Sequence, residues 1–470
     1  MARGRDPKPP RSVTAASPRT VHVMVEIAVD DGAPLESILG LAERLGEVTF
    51  QVDRAYGSVP IRGMKQYIER LAEAHQHAVI VRGMVNGDRI SALESQPRVL
   101  KVWVDSEIEP FRAARMHKSR KQVHKSKERK KHKLLPAASP DCTGGTSPLG
   151  DIRDVVTALG VNKIWALGYK GAGVVVGIVD AGICAKNCPN PHSACGAEID
   201  RVIGGWPTND WGTTADHWEG HGNMTAFDVL GMAPEAQLYD IRIVSVETGN
   251  PAKDFKAWVS EAVKAYDWAI KQHQSDGTPK ILNNSWGLYK KNADPAYATD
   301  PQSPFARQVE AALAEGIMVV FAAGNCGEAC PYPKCGTGSV GANKSILGPN
   351  GHPDVMTVGA INLNEAWVGY SSQGKAVLPP NTPKPDFCTF TQFAGYYPSL
   401  DANYASDSGT SASAAVVSGV VALLKQYRSG LTQAQAKTAL KTTAKDLPPS
   451  GDDPKTGAGM IRAKNAYDSL

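Results

Sequence analysis

The sequence predicts an α/β fold with a doubly wound parallel sheet, preceded by a smaller α+β domain. From residue 149 onward, short apolar segments alternate with longer amphipathic ones. The short segments are almost uniformly apolar, which is typical of parallel strands that helices cover on both faces. Residues 21–111 instead hold two β-α-β units of short strands and helices, which favours a small ferredoxin-like sandwich.

Hydrophobic periodicity locates the elements of this N-terminal domain. Apolar and polar residues alternate along residues 21–29, as in a strand with one buried face. Strands are predicted at 21–29, 48–52, 78–85 and 99–104, and helices at 33–45, 64–74 and 88–95. Residues 1–20 are predicted to form a disordered tail.

The larger domain is predicted over residues 149–470. Strands are predicted at 173–180, 236–246, 280–284, 317–323 and 355–361, and helices at 255–271 and 305–315. A further helix is predicted after the small-residue turn at Asp407–Ala415, because Val416–Leu424 are mostly apolar. In a doubly wound sheet, the functional site lies beyond the carboxyl ends of the strands.

A basic segment joins the two predicted domains. Residues 112–133 contain eleven Lys or Arg and one Glu, so the net charge of +4 conceals a negative remainder. A block of like charges repels itself, which favours a solvated linker over residues 112–148. A nucleic-acid contact, a localisation signal and a protease-sensitive junction are the alternatives. The lack of interleaved aromatic residues argues against nucleic acid as a partner.

Length and composition indicate an ordinary globular chain. It has 470 residues, of which 42% are hydrophobic and 21% charged, enough for more than one domain with a sizeable core. No apolar run approaches the ~18 residues of a membrane span, which predicts no membrane partner. Residues 1–20 lack the apolar region of a signal peptide, so a cytoplasmic location is the default expectation. Non-standard export and a misassigned start are the alternatives.

Four polar residues at predicted element ends are candidates for a catalytic site. Asp180 closes an apolar strand, and Asn325 follows another strand after Ala-Ala-Gly. His221 lies between two glycines, and Ser411 begins the apolar helix after Gly-Thr. Taken singly, each has an ordinary explanation as a cap, a turn residue or a buried polar group. Together they supply a carboxylate, a base, an amide donor and a nucleophile.

The region from about residue 161 to 470 resembles the subtilisin-like serine proteases, or subtilases. The matching segments are Val179–Gly182, Gly220–Gly222, Met232–Ala236, Asn284–Gly287, Ala322–Asn325 and Gly409–Ala412. Asp, His and Ser occur along the chain in the order known for subtilisin. The resemblance implies a serine endopeptidase that hydrolyses peptide bonds through an acyl-enzyme.

The resemblance also implies a role for each candidate residue. Ser411 would be the nucleophile, His221 the general base, and Asp180 the residue that orients His221. Asn325 would form the oxyanion hole with the backbone N–H of Ser411. The segments that would bind an extended substrate and wall its S1 pocket are Ser285, Trp286 and Gly287 on one side and Ala322, Ala323 and Gly324 on the other.

The N-terminal domain has two interpretations. Subtilases are often made with a pro-domain that assists folding and inhibits the enzyme, and residues 90–105 weakly resemble the closing helix and strand of such a domain. The chain would then be a zymogen, and the segment after these residues could thread the cleft. The alternative is a permanent binding or targeting domain.

Departures from the family pattern leave two other functions open. Asn223 stands where the family usually has Thr, Ala181 replaces a usual Ser or Thr, and Ser411–Val416 lacks the common Met and Pro. The alternatives are a catalytically silent peptide-binding scaffold and a transpeptidase or macrocyclase. No cofactor is expected for the chemistry. Structural calcium is known in the family, but no carboxylate cluster here identifies a site.

Eight cysteines leave three states open. Three follow the Asp180 strand and three follow Asn325, with one further cysteine before and one after these clusters; the eight are Cys142, Cys184, Cys188, Cys195, Cys326, Cys330, Cys335 and Cys388. Disulfides, free thiols and a zinc site are the alternatives. The Cys326–Cys335 loop would lie near the S1 pocket, so we hypothesise that its redox state tunes specificity.

Overall fold

The computed structural model describes residues 19–45, 50–62, 65–111, 140–143, 148–186, 199–212, 220–246, 255–396 and 406–470. The basic segment and nearly all of the predicted tail and linker lie outside the described residues. The chain divides into two compact units. The first comprises residues up to 58 together with 71–104, and the second comprises residues 59–70 and 105–470.

The first unit contains an antiparallel sheet in the order β2-β4-β1-β5. Its two long central strands, β1 (Thr20–Asp30) and β4 (Gln76–Asn86), pair along their whole length. The other elements of residues 20–104 are α1 (Leu35–Arg44), β2 (Gln51–Val52), β3 (Ser58–Pro60), α2 (Lys65–Glu73), the 3₁₀ turn Gly87–Arg89, α3 (Ile90–Glu94) and β5 (Val99–Val104). This strand order is that of the predicted ferredoxin-like sandwich.

The second unit is built on a seven-stranded parallel sheet in the order β16-β15-β14-β12-β7-β9-β8. Its strands are β7 (Val175–Asp180), β8 (Val202–Trp206), β9 (Gln237–Arg242), β12 (Ile281–Asn284), β14 (Met318–Ala322), β15 (Met356–Ile361) and β16 (Phe387–Phe390). The central strands are buried throughout, as expected when helices cover both faces. The predicted α/β class is confirmed.

Helices of the second unit are α4 (Ile152–Ala158), α5 (Val161–Trp165), α6 (His221–Met232), α7 (Val259–Asp276), α8 (Pro295–Thr299), α9 (Pro304–Ala314), α10 (Gly409–Tyr427), α11 (Gln433–Thr442) and α12 (Ala463–Ser469). Helix α10 is buried from its first residue to Leu424. A Cβ on Gly419 of α10 would lie 2.6 Å from the carbonyl oxygen of Val229 and 2.7 Å from Cβ of Met232. The small residue therefore lets α10 pack closely on α6. None of the described helices is long and apolar enough to cross a membrane.

A second, smaller sheet corrects two predicted elements and one boundary. Its order is β10-β11-β6-β13, with β10 (Val244–Val246), β11 (Phe255–Trp258), β6 (Glu107–Pro110) and β13 (Trp286–Gly287). The predicted strand 236–246 is therefore two strands, and the predicted helix 255–271 starts at Val259. Strand β6 pairs antiparallel with both β11 and β13. Because these pairings hold residues 105–111 in the second unit, the structure divides the chain at residue 104, not at the predicted 111.

Five of the six cysteines in the described residues are disulfide-bonded. Cys142 is bonded to Cys330, and Cys326 to Cys335. Cys184 is also disulfide-bonded, whereas Cys388 is a buried free thiol. Among the alternatives left open by the sequence, disulfides therefore describe the cluster after Asn325 and, in the cluster after Asp180, Cys184. Cys188 and Cys195 lie outside the described residues.

Candidate active site

The predicted site residues lie at one edge of the main sheet. Asp180 is the last residue of β7, Ser285 directly follows β12, and Asn325 closely follows β14. Because these three neighbouring strands are parallel, their carboxyl ends meet at the same edge. The first turns of α6 and α10 bring His221 and Ser411 to this edge, where they contact Asp180 and Ser285 respectively.

His221 and Asp180 form a buried pair. Nδ1 of His221 lies 2.9 Å from each carboxylate oxygen of Asp180, and both side chains are buried. Asp180 also accepts a hydrogen bond of 2.8 Å from the backbone N–H of Ala181. An Nδ1–H that donates to the carboxylate leaves the basic lone pair of the ring on Nε2. The pair is therefore arranged to present Nε2 as a proton acceptor.

Asn223, one of the departures from the family pattern, connects the surroundings of this pair. Its Oδ1 accepts a hydrogen bond of 2.7 Å from the backbone N–H of Cys184. Its Nδ2 donates to the hydroxyl of Tyr396 at 2.5 Å. The amide thus ties α6 to the loop that follows Asp180. A Thr side chain at this position could not reach both partners. These two hydrogen bonds therefore account for the Asn in place of the usual Thr.

Ser411 lies in the first turn of α10 and faces two carbonyl groups. Its Oγ is 3.0 Å from the carbonyl oxygen of Phe111 and 3.0 Å from that of Ser285. Gly409 has a φ of +80°, and a Cβ there would collide with the Phe111 carbonyl oxygen. Glycine is therefore needed at position 409 for the carbonyl group of Phe111 to approach Ser411.

The amide of Asn325 is oriented by its neighbour on α10. Its Oδ1 accepts hydrogen bonds from both the backbone N–H and the hydroxyl of Thr410, each at 3.0 Å. Its Nδ2 lies 3.0 Å from the position that a Cβ on Gly409 would take, and the Phe111 carbonyl oxygen adjoins that same position. The NH₂ group and the Phe111 carbonyl are thus on one side of Gly409.

Residues 105–111 occupy the cleft in an extended conformation. Strand β6 pairs with β13 so that Pro110 opposes Trp286 and Glu109 opposes Gly287. The backbone N–H of Phe111 donates to the carbonyl of Ser285 at 3.0 Å. This is strand addition, in which main-chain bonds give affinity and pockets give selectivity. The predicted segment 285–287 therefore binds an extended chain in this structure.

The ring of Phe111 lies between the two predicted walls. A Cβ on Gly287 would lie 2.6 Å from Cζ of Phe111, and a Cβ on Gly324 would lie 3.5 Å from it. Asn350 holds these walls together, because its Nδ2 donates to the carbonyls of Trp286 at 2.9 Å and Ala322 at 3.0 Å. Ala323 stays in register through its N–H, which donates to β15.

Several residues of the cleft were missed by the sequence analysis. They are Phe111, Tyr289, Lys334 and Asn350. Tyr289 donates from its hydroxyl to the carbonyl of Pro110 at 2.7 Å, and Lys334 forms an ion pair with Glu109. None belongs to a family motif, although Lys334 lies in the Cys326–Cys335 loop that was expected near the S1 pocket and Phe111 lies in the segment that was expected to thread the cleft. The described residues contain no group of three or more His, Cys, Asp or Glu that could hold a metal ion.

A parallel sheet with a buried Asp–His pair and a helix-borne serine at its carboxyl edge is typical of serine hydrolases. The chain belongs to the subtilase family, because residues 171–459 match the family model described as Peptidase_S8, subtilase family. It is therefore a subtilisin-like serine endopeptidase that acts on polypeptides. The resemblance inferred from the motifs is confirmed.

Individual relatives support the same assignment. The chain is 30% identical over 314 residues to subtilisin DY of Bacillus licheniformis, covering 65% of this chain and 94% of that protein. It is 26% identical over 308 residues to subtilisin BL of Lederbergia lenta, covering 64% and 92%. Its fold is similar to that of fervidolysin from Fervidobacterium pennivorans, with a TM-score of 0.55 at 18% identity. That similarity covers 96% of this chain and 61% of fervidolysin.

Proposed function

We propose that this endopeptidase acts through Asp180, His221 and Ser411, with Asn325 in the oxyanion hole, and that it is made as a zymogen. The observation that carries the proposal is the hydroxyl of Ser411 at 3.0 Å from the carbonyl oxygen of a strand bound along the cleft. A nucleophile held this close to a fixed carbonyl gains much of the advantage of an intramolecular reaction.

The proposed reaction begins when the Ser411 hydroxyl turns from the carbonyl oxygen towards Nε2 of His221. Nε2 takes the proton as Oγ attacks the carbonyl carbon of the substrate, and Asp180 stabilises the imidazolium. Nδ2 of Asn325 and the N–H of Ser411 donate to the oxyanion. His221 then protonates the leaving amine, and water hydrolyses the ester by the reverse sequence.

The zymogen proposal rests on the occupied cleft. Residues 105–111 follow directly after the last strand of the first unit, and they fill the positions that a substrate needs. A substrate cannot pair with β13 while β6 does so. The N-terminal domain would thus act as an intramolecular inhibitor until the chain is cut. Any structural calcium stays a prediction, and the proposed steps use only side chains and backbone of this chain.

The disulfides bear on where the enzyme works. Structural disulfides persist in oxidising compartments and are rare in the cytosol. Two disulfides flank the oxyanion-hole loop, and Cys184, a fifth bonded cysteine, lies beside the Asp180 strand. We therefore favour an oxidising compartment over the cytoplasmic location expected by default.

A fluorophosphonate probe tests the catalytic proposal, because it labels a serine only when the serine is activated. The processed wild-type enzyme should be labelled and should cleave casein. Ser411→Ala should lose labelling and at least roughly 10⁴-fold in kcat. Ser413→Ala is the matched control on the same helix, since its hydroxyl bonds only to the carbonyls of Thr389 and Phe390 among the described contacts. Equal labelling of the Ser411→Ala protein would contradict the proposal.

Product masses separate hydrolysis from transpeptidation. Hydrolysis of a peptide adds one water across the cleaved bond, whereas transpeptidation joins the acyl group to an added amine. We expect products of hydrolysis alone in the presence of a competing amino acid amide. Products that carry the amide would favour the transpeptidase alternative on the same site.

A further inference from the structure

The bound strand indicates what the cleft selects. We propose that the enzyme prefers an aromatic residue directly before the scissile bond (P1) and an acidic residue two positions earlier (P3), and that its own first substrate is the bond between Phe111 and Arg112. This inference rests on the proposed function of Ser411. It is carried by three side chains and one disulfide-closed loop that the family motifs do not include.

The P1 slot is shaped for a flat ring. Phe111 is 3% exposed, and its Cζ lies against the backbone of Gly287 and Gly324. Its edge meets the ring of Tyr289, with centroids 5.5 Å apart and an interplanar angle of 87°. Edge-to-face packing of this kind favours an aromatic over an aliphatic side chain. The clamp of Asn350 on both walls keeps the slot narrow.

The slot ends beside a hydrogen-bond acceptor. Oδ1 of Asn350 is buried and has no hydrogen-bond partner among the described residues. A Cβ on Gly287 would lie 3.0 Å from this oxygen and 2.6 Å from Cζ of Phe111. The para position of the Phe111 ring and Oδ1 of Asn350 therefore both lie close to this one position. A phenolic hydroxyl could donate there, so Tyr should serve at P1 at least as well as Phe.

The acidic preference comes from Lys334 on the loop closed by the Cys326–Cys335 disulfide. Lys334 forms an ion pair with the carboxylate of Glu109. The same loop carries Tyr332, whose ring stacks on Tyr289 with centroids 5.0 Å apart and an interplanar angle of 25°. One loop therefore supports the wall around the P1 side chain and also supplies the cation that contacts the P3 side chain.

The chemistry of the first cut follows the proposed mechanism. Oγ of Ser411 forms an ester with the carbonyl carbon of Phe111, and the C–N bond to Arg112 breaks. The serine proton passes through His221 to the nitrogen of Arg112, which leaves as an amine. Water then hydrolyses the ester and leaves Phe111 with a free carboxylate. Because all eight cysteines lie after residue 141, no disulfide can retain the released fragment.

Processing of the full chain is the first test. The wild-type protein and Ser411→Ala should be expressed in full and denatured before intact mass analysis and N-terminal sequencing. We expect a fragment of residues 1–111 and a chain beginning at Arg112 from the wild type, with Ser411→Ala uncut. A first Ser411-dependent cut at another bond would overturn this inference and leave the proposed function intact. A wild-type protein that is neither cut nor labelled by the fluorophosphonate would instead contradict the proposed function.

Peptides test the subsites on the processed enzyme. Peptides that carry Glu-Pro-X before the cleaved bond should give kcat/KM at least roughly tenfold higher for Phe or Tyr than for Ala at X. Changing the Glu of Glu-Pro-Phe to Lys should lower kcat/KM by about two- to fivefold, as expected for a solvent-exposed ion pair, and less at high salt.

Charge reversal isolates the contribution of Lys334. Lys334→Glu should invert the preference between Glu-Pro-Phe and Lys-Pro-Phe peptides. Lys163→Glu, an exposed lysine of α5, is the matched control and should leave the ratio unchanged. An unaltered ratio in Lys334→Glu would overturn the acidic preference, and a profile that favours small or charged residues at P1 would overturn the aromatic one.

Discussion

Two regions of the second unit contribute to the cleft in different ways. The proposed catalytic site, called the catalytic edge below, consists of Asp180, His221, Asn325 and Ser411, which are all buried and held by hydrogen bonds. The cleft wall consists of Tyr289, Lys334, Asn350 and the Cys326–Cys335 loop, and it meets the bound strand with rings, an ion pair and backbone. The catalytic edge would carry out the reaction, and the cleft wall would determine which substrates are selected. Variants should therefore separate rate from selectivity.

Among variants that keep the proposed nucleophile, the largest effect is expected when the catalytic edge loses its amide donor. Asn325→Ala should lower kcat by roughly 10²–10³, because one donor to the oxyanion is removed while substrate pairing with β13 is untouched. Steady-state kinetics on one peptide should show KM within a few-fold of the wild type. A rise in KM with kcat preserved would place Asn325 in the cleft wall instead.

A buried carboxyl close to the catalytic edge should make stability depend on pH. Burial raises the pKa of Asp240 to about 7. Because this folded-state pKa exceeds the ordinary value, the folded protein binds the extra proton between about pH 4 and 7. The associated stability is present below that window and is lost as the pH rises through 7.

Asp240→Asn should remove this loss of folding stability at higher pH, because the Asn side chain does not ionise. In a Ser411→Ala background, which prevents self-digestion, the variant should match its parent at pH 4 and exceed it at pH 8. The expected gain in the free energy of unfolding is on the order of 3 kcal/mol, measured by urea denaturation across pH 4–8. Asp468→Asn, at an exposed position of α12, is the control. Parallel pH profiles for Asp240→Asn and its parent would contradict the prediction.

A smaller effect is expected when the two walls lose their clamp. Asn350→Ala removes the donor shared by the carbonyls of Trp286 and Ala322, so the P1 slot should lose its fixed width. We expect kcat/KM for peptides with Phe at P1 to fall about tenfold and to fall less for Ala at P1. Equal losses for both peptides would indicate damage to the catalytic edge rather than to the wall.

The smallest effect is expected from opening the disulfide-closed loop. The double variant Cys326→Ser/Cys335→Ser should reduce the preference for Glu over Lys at P3 to near unity, a change of about two- to fivefold. Hydrolysis of a short ester without a P3 residue reports any accompanying change at the P1 wall, because Tyr332 of the same loop stacks on Tyr289. Cys388→Ala, which removes a thiol from β16, is the control. An unchanged substrate profile would refute the hypothesis that the redox state of this loop tunes specificity.

The sequence by itself determined the class of fold and the candidate residues of the catalytic edge. Uniformly apolar strands and amphipathic helices are local patterns, and Asp180, His221, Asn325 and Ser411 each lie in a short motif. Only the tertiary structure decided which residue of the threading segment meets Ser411, which cysteines pair, and which residues join the predicted walls of the P1 slot. Phe111 and Ser411 are separated by 300 positions in the chain, and Asn350 bridges two strand ends. Such contacts depend on how distant strands pair, and no local pattern of residue types records that pairing.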